Sequence, residues 1–133
     1  MPTAASECKI TLPGGLLGFE SIKQYLLISH PGEEPFMWLQ MLENPNQAFL
    51  VLSPFVALPS YSPDLGDEDA KSLGLNSPAD AVLLSIATLH GDGRATVNLK
   101  GPIVVNRHTL TGKQIIPVNA QKYAVQHPLP VDN

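Results

Sequence analysis

The side chains of this sequence that could carry a reaction are four histidines, one cysteine, and scattered serines and carboxylates. His30, His90, His108 and His127 lie far apart, with no Cys or second His at the short spacing that holds zinc. Each reads as a surface or turn histidine, and no metal or other cofactor is expected. No serine sits in the strand–turn–helix setting of a nucleophile elbow. Cys8, the only cysteine, can form no intrachain disulfide. It lies at the edge of the terminus expected to be loose, so a reduced bystander is the simpler reading. The run Pro13-Gly-Gly-Leu-Leu-Gly18 lacks the Lys-Ser/Thr of a phosphate loop, and no helix follows it. Gly15 and Gly18, with Phe19 beside them, fit a strained turn at a barrel corner instead. Nothing here demands catalysis.

The remaining candidates concern binding. Asp64, Asp67, Glu68 and Asp69 form the densest charge cluster. One reading is a solvated helix start, since carboxylates suit the positive end of a helix dipole. The other is a landing patch for a basic partner, where charge governs encounter rate more than affinity. Phe36, Trp38 and Phe19 face a similar choice between core burial, the default for large aromatics, and anchoring at an interface, where tryptophan is enriched. Asn98 and Asn106 are polar residues in otherwise apolar strands. If they point inward, their amides must be hydrogen-bonded, which suits a structural tie to a neighbouring loop.

These residues need a frame, and the pattern supplies strands. Thr96, Asn98 and Lys100 alternate with Val97, Leu99 and Gly101, the period of a half-buried strand. Pro102-Ile-Val-Val-Asn106 is β-branched and bounded by turn residues, and Gln114-Ile-Ile116 follows a loop containing Gly112. Upstream, strands are expected at 9–12, 24–29, 35–42, 48–53 and 81–90, with Gly91-Asp-Gly93 as a hairpin turn. In the 35–42 strand Phe36, Trp38 and Gln40 should face one way and Met37, Leu39 and Met41 the other. Pro54, Pro59 and Pro63 space out a loop or edge segment. One helix is expected, roughly 67–73, ended by Gly74. Residues 1–7 and 128–133 are expected to be loose, and the segment from 119 onward to pack irregularly.

The totals agree. A chain of 133 residues fits one domain. Thirteen prolines disfavour a helical bundle and suit edge strands and loops. A net charge of −4 disfavours nucleic acid as a direct partner and favours a basic protein surface. No run approaches the roughly 20 apolar residues of a spanning helix, and no leader pattern opens the chain. The expectation is a cytoplasmic, mainly β chain: a compact single-domain, partly closed antiparallel β-barrel with one short helix.

Several motifs, in order, carry a family resemblance. Leu12-Pro-Gly-Gly-Leu-Leu-Gly-Phe-Glu20 resembles the opening Phe-Pro-x-Gly-x-x-Gly-Phe-Glu turn of FliW, the flagellar assembly factor of bacteria. Pro35-Phe-Met-Trp-Leu-Gln40 is similar to its Pro-Phe-x-x-Leu-Gln strand, and Ala48-Phe49 with Pro54-Phe55 to its next segment. Asn98-Leu99, the Pro102–Asn106 core and the Gly112–Ile116 run resemble its C-terminal half. The resemblance implies a non-enzymatic, cofactor-free regulator that binds flagellin and, alternatively, the RNA-binding repressor CsrA, acting as a monomer. Freed by flagellin export, such a protein captures CsrA and relieves its block on flagellin translation. Two other classes stay open on residues alone. A small-ligand-binding or hydrolytic β-barrel would use His90, His108 or Asp92 near the barrel mouth. An RNA-binding strand would use Phe36 and Trp38, against the sign of the net charge.

Overall fold

The computed structural model describes residues 6–129. Five strands run antiparallel in sequence order: β1 (Ser6–Thr11), β2 (Gln24–Ser29), β3 (Met37–Met41), β4 (Ala48–Leu52) and β5 (Ala81–Leu89). The next partner of β5 is split. Strand β6 (Ala95–Val97) pairs with the C-terminal part of β5, and β7 (Ile103–Asn106) with its N-terminal part. Strand β8 (Gly112–Gln114) continues from β7, and β9 (His127–Pro128) from β6. The sheet curls until the end of β1 touches the start of β8. There Thr11 bridges Thr111, and its N–H donates to the Leu110 carbonyl at 3.0 Å. The first and last strands of this arm meet only at that seam, so the fold is a partly closed antiparallel β-barrel.

Alternation explains the core. In β3, Leu39 and Met41 are buried while Trp38 is 37% exposed, the two-sided pattern that period two requires. Leu39 and Met41 join Ile10, Leu12, Tyr25 and Ile103 in the main cluster. Burying each such aliphatic side chain contributes about 1.5–3 kcal/mol. Strand β7 is buried on both faces. Ile103 and Val105 face the main core, and Val104 packs with Leu73 and Ile115 beneath a helix.

That helix, α2 (Asp67–Ser72), follows a short α1 (Pro54–Ala57). Helix α2 carries Asp67, Glu68 and Asp69 in its first turn and ends in a Schellman motif. Gly74 (φ 69°) donates to the Lys71 carbonyl at 3.1 Å, and Leu75 to that of Ala70 at 2.9 Å. No helix among the described residues is long and apolar enough to cross a membrane.

Several boundaries differ from expectation. Ser6 and Glu7, expected loose, pair with Ser29 and Ile28, so the first strand starts earlier; residues 1–5 lie outside the described residues. Residue 128 pairs with Thr96 instead of hanging free, while 130–133 lie outside the described residues. The Pro54 segment, expected as loop or edge, is helical. Ser53 accepts from the Phe55 N–H as N-cap, and Pro54 occupies the first turn, where its missing donor costs nothing. Strand β8 runs from Gly112 to Gln114, earlier than 114–116. Residues 98–101 do not continue β6 as a strand but loop out of the ladder. Ala87 faces Val97 and Leu84 faces Ile103, so two residues of β5 span five of its partner.

Candidate functional site

The looped-out segment is organised by Asn98. Its Oδ1 accepts from the N–H groups of Lys100 and Gly101, both at 3.0 Å, giving the backbone an alternative to the ladder. The buried hydroxyl of Tyr61 donates to the Leu99 carbonyl at 2.7 Å and pins the loop from below. Burial pushes the Tyr61 phenol well above its usual range, so it remains a donor. Pro102, also buried, ends the excursion and starts β7.

The opening turn docks against this loop through Gln114. Its Nε2 donates to the Gly101 carbonyl at 3.0 Å, and its Oε1 accepts from the Leu17 N–H at 2.8 Å. Within the turn Gly15 takes φ 65°, and a Cβ there would lie 2.5 Å from the Phe19 carbonyl oxygen. Gly18 takes φ 89° beside the Glu20 carboxylate, which accepts the Gly18 N–H and is thereby held below its ordinary pKa. Phe19 is half-exposed and meets the Phe49 ring edge-on, centroids 5.2 Å apart. Turn and loop together wall a groove of about 360 Å³. Leu17, Ile116 and Val125 stand around it, 81%, 65% and 57% exposed, an apolar concentration typical of protein interaction surfaces.

Asn106 lies elsewhere and is buried. Its Nδ2 donates to the Leu73 carbonyl at 2.8 Å, closing the end of α2. Its Oδ1 accepts from His108 and Thr109 N–H groups at 2.8 and 3.3 Å, shaping the β7–β8 turn. His108 in turn reaches Asp80 at 3.0 Å. The Asn76 N–H, then His108 and the Ser77 N–H, hold the Asp80 carboxyl below its ordinary range.

The structure separates the two sets of binding candidates. Asp67 and Glu68 are exposed on α2 and Asp64 in the loop before it, while Asp69 pairs with Lys113. Phe36 and Trp38 line a different groove, with Leu50 and Leu89. The residues proposed for hydrolysis are each engaged locally. His90 hydrogen-bonds Thr96 at 2.8 Å, Asp92 pairs with Arg94, and His108 with Asp80. Among the described residues no three His, Cys, Asp or Glu side chains converge on a metal-sized site.

Gln114 was the residue that spacing did not reveal. It lies 97 positions from Leu17 in sequence, and its only local mark is a polar side chain beside Ile115 and Ile116.

Comparison with known proteins covers nearly the whole chain. Residues 2–129 match the model of the FliW protein family. The chain is 39% identical over 120 residues to the flagellar assembly factor FliW of Clostridium botulinum strain Alaska E43, covering 90% of this chain and 84% of that protein. It is 39% identical over 127 residues to the flagellar assembly factor FliW of Geobacter sulfurreducens, covering 94% and 79%. A crystal structure of the flagellar assembly factor FliW superposes with a TM-score of 0.84 at 33% identity, over 93% of this chain and 86% of that one.

Proposed function

We propose, since this chain belongs to the FliW family, that it is a cytoplasmic flagellar assembly factor working through protein contacts rather than catalysis. It binds flagellin and, alternatively, CsrA, and by capturing CsrA it relieves repression of flagellin synthesis. It acts as a single-domain monomer and contacts neither nucleic acid nor membrane directly. The observation that carries this proposal is the likeness to flagellar assembly factors across nearly the full length.

The physical logic is linkage. Two partners that exclude each other divide one protein between them according to affinity and concentration. A fall in cytoplasmic flagellin, as subunits are exported, then raises the share bound to CsrA. The acidic net charge of −4 favours CsrA, whose RNA-binding task requires a basic surface. The exposed apolar groove beside the opening turn offers contact area of another kind. Purified chain incubated with purified flagellin or CsrA at micromolar concentration should retain each on an affinity resin. Retention of neither would remove the proposal.

A further inference from the structure

We propose that the groove floored by Trp38 docks a basic segment of a protein partner, with an Arg or Lys stacked on the indole and paired with Glu33. This rests on the partner-exchange function above and names the chemistry of one contact.

The floor is apolar. Trp38, the second residue of β3, lies between strands, opposite Ile28 of β2 and Leu50 of β4, yet stays 37% exposed. Leu89, at the end of β5, is 67% exposed and lines the same groove, which encloses about 380 Å³. Phe36 packs into the core beneath. An indole held in a strand loses little freedom when a partner covers it, which is why such residues make effective anchors.

The rim carries negative charge. Glu33 and Glu34 line the groove, and no Lys or Arg does. Their placement is fixed by the loop before β3. The His30 carbonyl accepts the Glu33 N–H at 3.2 Å, and the Glu33 carbonyl accepts the Phe36 N–H at 2.9 Å. The Glu34 carboxylate accepts the Gly32 N–H at 3.1 Å. Among the described residues Asp69, Asp80 and Asp92 each have a cationic or imidazole partner, whereas Glu33 and Glu34 have none.

An indole face beside unneutralised carboxylates suits a guanidinium or ammonium, which gains from both the ring quadrupole and the charge. An aliphatic neighbour on the same segment would cover Leu89. Phosphate would be repelled, so the groove does not suit RNA. The α2 cluster is the weaker place for such a segment, because Lys113 neutralises Asp69 and the helix has no buried side chain to provide an apolar floor. The groove beside the opening turn carries both Lys100 and Glu20, so its charge selects no sign of partner.

Trp38 is the only tryptophan, so its emission reports on this groove alone. Two synthetic peptides share one set of leucines; the first carries Arg and Lys at the remaining positions, the second Asp and Glu. The basic peptide should change Trp38 emission saturably, and more weakly as salt rises; the acidic one should not. No saturable change, or equal changes with both, overturns the proposal. Glu33→Arg, at an exposed side chain with no bonded partner, should weaken the basic peptide about tenfold with an unchanged melting temperature. Unchanged affinity also overturns it. CsrA and flagellin that each bind wild type and E33R equally overturn the groove but leave the assembly function standing. Binding of the basic peptide without binding of either protein supports the groove and removes that function.

Discussion

Replacing Gly15 by alanine should unfold this protein at a markedly lower temperature than the same change at Gly18. Both glycines have positive φ, 65° and 89°, where an L-residue with a Cβ costs about 1–2 kcal/mol. They differ in surroundings. A Cβ at Gly15 would meet the Phe19 carbonyl oxygen at 2.5 Å, the Glu20 Cα at 2.6 Å and the Glu20 carbonyl oxygen at 2.7 Å; at Gly18 it would meet nothing within 4 Å. The obstacles at Gly15 are backbone atoms, so relief means displacing the turn that bridges Leu16 to Phe19 and donates from Leu17 to Gln114. Overpacking of this kind adds about 1–3 kcal/mol, giving about 2–5 kcal/mol in all. With an unfolding entropy of about 2.1 cal/mol/K per residue, 1 kcal/mol moves the midpoint of this 133-residue chain by about 3.6 °C. Gly15→Ala should therefore lower Tm by about 7–18 °C and Gly18→Ala by about 4–7 °C. Thermal circular dichroism on both variants decides the matter. Equal shifts would refute the argument that the Gly15 turn is closed around a missing side chain.

Asn106→Ala leaves the buried Leu73 carbonyl and the His108 N–H without their partner, which should cost about 2–4 kcal/mol and speed amide exchange in the last turn of α2. Thermal melts and hydrogen exchange check both. The depressed Asp80 carboxyl stabilises the fold above its ordinary value of 3.8, and that contribution is lost as pH falls through the lower folded value. The Tm difference between wild type and Asp80→Asn should thus be fully present at neutral pH and shrink as acidity passes below that range; a constant difference in calorimetry would contradict it. Asp67→Lys with Glu68→Lys should slow CsrA association more than it speeds release, as stopped-flow kinetics at low salt would report. An unchanged association rate would reject α2 as an electrostatic guide.

Much of the frame could be read from residue patterns, because burial imposes them. Gln24–Ser29, an apolar run bounded by polar residues, forms β2 with those bounds, and the nine residues from Ala81 to Leu89 form the long central strand. The pattern failed where a side chain competed with the ladder. Thr96 to Gly101 alternates like a strand, but Asn98 takes the amides of Lys100 and Gly101 and turns the chain out. It also failed where proline was read only as a breaker, since Ser53-Pro54 is a helix start whose cap was visible in the sequence. Strand β9, two residues long, has no periodicity to detect. The grooves were illegible for a different reason. Leu17, Asn98, Gln114 and Val125 come from separate stretches, and only the closure of the sheet brings them around one space.

The central claim is that the exterior of this β shell is shared by two proteins in turn. A competition titration tests it most directly: fluorescently labelled CsrA is bound to the purified chain, and flagellin is added while anisotropy is followed. The claim predicts that anisotropy falls to that of free CsrA, with a midpoint set by the ratio of the two affinities. A signal that stays high while flagellin joins the same complex, or a chain that never takes up CsrA, would contradict it.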